Sequence, residues 1–75
     1  MGGVKMAYER QKKIQRELDA RIPRRLAGSL QNRFRFGFYF WRSQGHPFDV
    51  SVRMAANQVR QEEPGFVPVV VPPIA

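Results

Sequence analysis

The sequence has little of what builds a covalent or metal-based site. It contains no cysteine and a single histidine among 75 residues. Without cysteine there is neither a disulfide framework nor a cysteine-ligated zinc site, and one histidine does not make a multi-histidine metal site. The length also excludes a two-layer α/β enzyme with a buried pocket. We therefore expect a non-enzymatic protein that binds no metal and no cofactor.

The residues around the single histidine do not form a catalytic set. Ser43, Asp49 and Ser51 all lie within five residues of His46. A serine–histidine–aspartate triad needs a three-dimensional arrangement that such close neighbours in one turn do not produce. We interpret His46 as a turn residue and expect no small-molecule substrate.

Long hydrophobic runs are also missing. The longest apolar and aromatic run, Phe38–Trp41, is far shorter than the roughly 20 residues that a membrane-spanning helix needs. The first residues lack the apolar segment of a secretory signal, and Glu9, Glu17 and Asp19 are atypical of a mitochondrial presequence. With the absence of cysteine, these features predict a cytoplasmic protein that is not secreted. A membrane surface is the least favoured partner.

Basic residues outnumber acidic ones and are unevenly distributed. The chain carries 13 Lys or Arg against 6 Asp or Glu, for a net charge of +7. Residues 1–42 hold eleven of the basic residues and three of the acidic ones. This asymmetry predicts contact with nucleic acid or another acidic surface, although a merely solvated helix face would look the same. The residues expected to make that contact are Lys12, Lys13, Arg16, Arg24, Arg25, Arg33 and Arg35.

The spacing of apolar residues predicts an all-α fold. The chain divides into a small helical domain over residues 1–63 and an extended arm, rich in proline and valine, over residues 64–75. Within the domain we expect a basic N-terminal helix with a narrow apolar stripe, followed by an αα-hairpin. The expected bounds of the three helices are residues 4–22, 29–44 and 48–61.

Turn and capping residues mark the expected helix ends. Pro23 disfavours helical geometry in the residue before it and so ends the first helix. Ser29 is a typical N-cap for the second helix. For the third helix, either Asp49 is the N-cap or Pro47 lies in the first turn. Gly45 suits the left-handed position just past the second helix.

Residues 33–42 fit two periodicities. As a strand, four phenylalanines alternate with other residues; as a helix, Leu30, Phe34 and Phe38 follow one another at intervals of four. The helix is favoured because a strand would need partner strands that the chain does not offer. The aromatics interleaved with arginine could stack on nucleic-acid bases, but we interpret them mainly as core. The expected core is Leu30, Phe34, Phe38, Trp41, Val52, Ala55 and Val59.

Turn and packing residues mark the hairpin: Trp41-Arg42, Gly45, Pro47 and Val52–Ala55. Over about 20 residues this pattern resembles the short helical-hairpin proteins of tailed phages and other mobile elements. The resemblance implies a helical hairpin. It also suggests a phage protein located in the host cytoplasm or in the virion, and it assigns no functional residue.

The C-terminal arm is apolar, uncharged and interrupted by prolines. The prolines exclude a helix or a central strand and favour an extended conformation. Because a solvated tail would be polar, we expect the arm to bind a groove or a sheet edge on a partner, which includes a second copy of the chain. Folding back over its own hairpin is the alternative. The residues expected to dock are Phe66, Val67, Val69, Val70, Val71 and Ile74.

Together these features predict a docking protein. The favoured hypothesis is a structural or interaction protein that joins a larger protein or nucleoprotein assembly, such as a virion, through its first helix and its arm. The alternative is a nucleic-acid-binding regulator, in which the hairpin acts as a minimal helix-turn-helix and binding depends strongly on salt. A third hypothesis, an inhibitor of a host protein, shares every sequence feature of the first.

Overall fold

The computed structural model describes the backbone of residues 3–71 and the side chains of residues 9–71. Its helices are α1 (Gly3–Ala20), α2 (Gly28–Ser43) and α3 (Phe48–Arg60). Over the described residues no strand forms, and the segment after α3 is irregular. The predicted all-α fold is confirmed, and residues 33–42 are helical.

The first helix ends two residues before the predicted end at residue 22. The Ile22 N–H donates to the backbone oxygen of Asp19 at 3.1 Å. This bond joins residues three apart, as in a 3₁₀ turn, and ends the α-helical pattern. Pro23 follows directly and cannot continue the helix. The α1–α2 connection begins at this turn.

The two predicted N-caps are wrong. Ala27 stands at the N-cap of α2 and Pro47 at that of α3, and neither makes a side-chain cap hydrogen bond. A good cap contributes only about 1 kcal/mol, so the packing of nearby apolar side chains overrides it. Ser29 lies inside α2, and Asp49 lies in the first turn of α3. There its carboxylate faces the positive end of the helix dipole.

The turn between α2 and α3 has the left-handed residue that the sequence predicted at Gly45. Gly45 has a φ of 94°, which a residue with a Cβ rarely adopts. Its N–H donates to the Arg42 oxygen at 3.0 Å, and the His46 N–H donates to the Trp41 oxygen at 3.2 Å. This pair of bonds is the Schellman arrangement. It satisfies two carbonyls at the end of α2 and reverses the chain direction.

The core lies where α2 faces α3 and the end of α1. Phe34 and Phe38, one turn apart on α2, are fully buried, and Phe38 packs edge-on against Phe48 at 5.0 Å between ring centroids. The buried cluster comprises Leu18, Ile22, Leu30, Phe34, Phe38, Ala55, Ala56, Val59 and Phe66.

Two predicted core residues are not in this cluster. Val52 is partly buried and packs against the cluster from outside. Trp41 is half-buried in the last turn of α2, where its ring lies 5.0 Å from Phe40 and 5.5 Å from His46. Trp41 lies near the C-terminal end of α2, beyond the aromatic layer between the helices, and does not reach that layer.

α2 and α3 approach each other closely at Gly37. A Cβ built on Gly37 would lie 3.4 Å from the Ala55 Cβ and would collide with the side-chain oxygen of Gln58. The Ala55 distance is that of an ordinary van der Waals contact, and the Gln58 oxygen ends a flexible side chain that can move aside. Gly37 is buried at this helix contact, and an alanine in its place would need only a shift of Gln58.

α1 runs antiparallel to α2 along one side of the hairpin. The Arg35 guanidinium meets Asp19 at 3.1 Å, while Arg10 near the other end of α1 shares a groove with Arg42. Among the described side chains of α1, residues 9–13 are exposed, Ile14 packs partly buried against the core and Leu18 is buried. Most of the surface of residues 9–20 therefore remains open.

The aromatic residue of the arm belongs to the core. Phe66 is 5% exposed and packs edge-on against Phe34 at 5.6 Å. Its carbonyl oxygen accepts a hydrogen bond from Arg60 Nε at 2.8 Å. The expectation that Phe66 docks on a partner is therefore wrong, since its own chain already buries the ring.

We predict that Phe66→Ala lowers the free energy of unfolding by about 3 kcal/mol, because it removes a buried ring and leaves a cavity. Val70→Ala, at an exposed position in the same arm, should change stability by less than about 0.5 kcal/mol. Urea denaturation followed by circular dichroism measures both. Equal effects of the two substitutions would contradict the placement of Phe66.

Candidate docking surfaces

The predicted basic residues occupy two regions of the surface. Lys12, Lys13 and Arg16 are exposed on α1, and Arg24 and Arg25 are exposed in the α1–α2 connection. Arg16 and Arg24 line one groove, where the two regions meet, and Asp19 lines the same groove and interrupts the positive charge. We call these exposed lysines and arginines the basic band, whose net positive charge attracts polyanions over distances of about a Debye length.

Arg33 and Arg35 are less available than the sequence suggests. Arg33 forms an ion pair with Glu62, just beyond α3, and Arg35 forms one with Asp19. All four side chains remain roughly half exposed, and such pairs contribute at most about 1 kcal/mol to stability. A polyanion would nevertheless meet these arginines with their charge already compensated.

A groove between α1 and α2 holds two arginines that the predicted surface did not include. Arg10 and Arg42 line it, and its volume is about 410 Å³. Three other grooves on the described surface each contain a carboxylate, Asp19 in two of them and Glu63 in the third. No sequence signal links Arg10 to Arg42, because only the antiparallel packing of the helices brings them together.

Two buried polar atoms of α2 lack partners, one of them on Tyr39, which lines this groove. The Tyr39 hydroxyl and Trp41 Nε1 make no hydrogen bond within the described part of the chain. Burial, with a smaller contribution from nearby Asp19, raises the pKa of Tyr39, and Arg35 opposes the shift. The phenol therefore stays protonated and uncharged at neutral pH.

The outer face of α2 exposes two aromatic rings. Phe36 is 78% exposed and Phe40 is 46% exposed. They stand one turn apart, on the side of the helix away from Phe34 and Phe38. The sequence predicted Phe34 and Phe38 as core and assigned Phe36 and Phe40 no place in it. The structure divides them, burying two and exposing two.

Beyond Phe66 the arm lies on the surface of its own chain. The Val69 N–H donates to the Arg21 oxygen at 2.8 Å, which fixes the arm against the end of α1. Val67 and Val70 are 64% and 85% exposed. Part of the arm thus folds back, as the alternative expectation had it, while most of its valine surface stays open. Ile74 lies outside the described residues.

The outward face of α3 carries few available donors. Arg60 donates to the side-chain oxygen of Asn57 at 2.6 Å and to the Phe66 oxygen. Arg53 is the exposed basic residue left on this helix, and it shares the helix with the acidic Asp49. This face is poorly suited to reading base edges, which requires several free donors on one helix.

The described residues contain no group of three or more histidine, cysteine or acidic side chains placed to hold a metal ion. Over the same part of the chain, no helix is both long and apolar enough to cross a membrane. Comparison of the sequence and structure with protein-family models, curated proteins and solved structures finds no match in any of the three.

We predict that Tyr39→Phe raises the free energy of unfolding by about 1 kcal/mol, because it removes a buried hydroxyl without a partner and keeps the ring. Tyr39→Ala should lower it, because the ring packs edge-on against Phe38 at 5.2 Å. Urea denaturation of the two variants checks this. A loss of stability in Tyr39→Phe would show that the hydroxyl is hydrogen-bonded.

Proposed function

We propose that this chain is a non-enzymatic docking component of a larger protein or nucleoprotein assembly in the cytoplasm. The observation that carries the proposal is apolar surface left open after the core has closed, on the outer face of α2 and along the arm. The side chains concerned are Phe36, Phe40, Val67, Val69, Val70 and Val71. Contiguous exposed apolar surface marks interaction sites on small proteins.

Of the two exposed apolar surfaces, the arm and the outer face of α2, the arm is better positioned to bind a partner. Its beginning is held by the buried Phe66 ring and by the hydrogen bond from Val69 to Arg21. A segment already fixed in position loses less conformational entropy when it binds. With Val67 and Val70 exposed between and beyond these anchors, a partner can cover them without first ordering the chain.

The basic band supports an assembly that contains nucleic acid. Lys13, Arg16, Arg24 and Arg25 are all exposed, and Arg16 and Arg24 line one groove together with Asp19. Such a surface accelerates the encounter with a polyanion and weakens as salt is added. The hairpin's resemblance to phage proteins suggests a virion as the assembly, and we include that suggestion in the proposal.

A regulator that reads DNA through α3 is less well supported. The donors of Arg60 are engaged within the chain, and Arg53 shares its helix with Asp49. Any nucleic-acid contact would therefore involve phosphates rather than bases. An inhibitor of a host protein would use the same apolar surfaces, and the size of the isolated complex separates it from an assembly component.

Removal of residues 67–75 tests the proposal, because it deletes the exposed valines and spares Phe66. We expect the truncated chain to keep its helical circular dichroism spectrum. Its occupancy in the assembly should fall at least about tenfold, since covering two valines contributes about 1.5 kcal/mol each. The assembly is isolated from the native source by sedimentation, and bound copies are counted by mass spectrometry.

The double substitution Val67→Asp/Val70→Asp should match the truncation, and Asp49→Asn at an exposed site on α3 serves as the control that leaves occupancy unchanged. Nuclease treatment of half of each sample separates protein docking from nucleic-acid tethering. Wild-type occupancy by the truncated chain would refute the proposal.

A further inference from the structure

We propose that the groove between α1 and α2, lined by Arg10 and Arg42, binds a phosphate group. The proposal goes beyond docking through apolar surfaces, since it concerns a site for one anionic group and can be tested on the isolated chain. Neither the exposed valines of the arm nor the exposed rings of α2 take part in it.

Charge singles out this groove. Arg10 and Arg42 both line it, and no acidic side chain does. Neither arginine forms an ion pair within the described side chains, whereas Arg33 and Arg35 each face a carboxylate. An anion entering the groove would therefore meet two uncompensated guanidinium groups.

The donors of the groove suit a tetrahedral oxyanion. A guanidinium presents several N–H groups in a fixed fork that matches phosphate oxygens. Arg42 makes one long hydrogen bond of 3.5 Å to the His46 oxygen, which leaves its other N–H groups available. Gln11 adds an amide to the lining, whereas the Ser43 hydroxyl already donates to the Phe40 oxygen at 2.6 Å.

Apolar side chains form the rest of the wall. Ile14 and Tyr39 line the groove beside the arginines. They lower the local dielectric constant and so strengthen the attraction between guanidinium and phosphate. Tyr39 is uncharged at neutral pH and does not repel an anion. Its ring also offers a surface to the organic part of a phosphate ester, which favours a phosphodiester of nucleic acid over free phosphate.

Titration of the isolated ¹⁵N-labelled chain with inorganic phosphate at constant ionic strength decides whether the site exists. We expect saturable changes in the amide resonances of Gln11, Tyr39 and Ser43. Arg10→Gln/Arg42→Gln should weaken phosphate binding at least about tenfold, because charge-assisted hydrogen bonds are lost. The phosphate affinity of Arg10→Lys/Arg42→Lys should lie between that of the wild type and that of the glutamine variant, since lysine keeps the charge but not the forked guanidinium.

The matched control is Arg53→Glu on α3, which lowers the net charge by two units, as Arg10→Gln/Arg42→Gln does, at an exposed site outside the groove. It should bind phosphate like the wild type. Changes confined to other residues, no saturation up to millimolar phosphate, or equal losses in the two charge-matched variants would overturn the proposal. Because Arg10, Arg42 and Arg53 are all exposed, circular dichroism should show every variant folded.

A second titration identifies the source of the phosphate. Fluorescence anisotropy with a labelled single-stranded oligonucleotide should show tight binding. The slope of the logarithm of the binding constant against the logarithm of the salt concentration should fall in magnitude by about one in Arg10→Gln/Arg42→Gln. That result supports a phosphodiester ligand. If the same substitutions change neither this slope nor the affinity for the oligonucleotide, the assignment to nucleic acid is overturned. The ligand of the groove would then be a small phosphate compound.

Discussion

The burial of Phe34 and Phe38 where α2 faces α3 is the interaction on which the rest of the structure depends. Both rings are fully buried, and Gly37 lies on the same side of α2, buried close to Ala55 of α3. Once those two rings are buried, the opposite side of α2 has to face outward. The exposed aromatic face, the docking of the end of α1 and the seat for Phe66 all follow from this packing.

Much of the fold follows from the sequence because its strongest pattern is local. Leu30, Phe34 and Phe38 at intervals of four specify a helix, and Gly45 specifies the turn. The features that were missed depend on contacts distant in sequence. The ring of Phe66 packs against Phe34, which is far from it in the sequence. Trp41 lies outside the core because it is near the end of α2, beyond the aromatic layer between the helices.

The candidate surfaces were less predictable than the fold. Composition locates the positive charge in the N-terminal half, but it does not show that Arg33 and Arg35 are paired with carboxylates. Nor does it show that Arg10 and Arg42 share a groove. These are consequences of helices packing antiparallel. What the sequence alone does indicate is an uncharged, valine-rich arm, whose apolar side chains predict a docking segment.

The division of the α2 aromatics between core and surface is the central claim, and solvent paramagnetic relaxation tests it most directly. A soluble gadolinium chelate is added to the isolated chain, and the relaxation of each phenylalanine ring is measured by NMR. The account predicts strong enhancement for Phe36 and Phe40 and little for Phe34 and Phe38, since the chelate cannot reach buried rings. Equal enhancement of all four rings would contradict it.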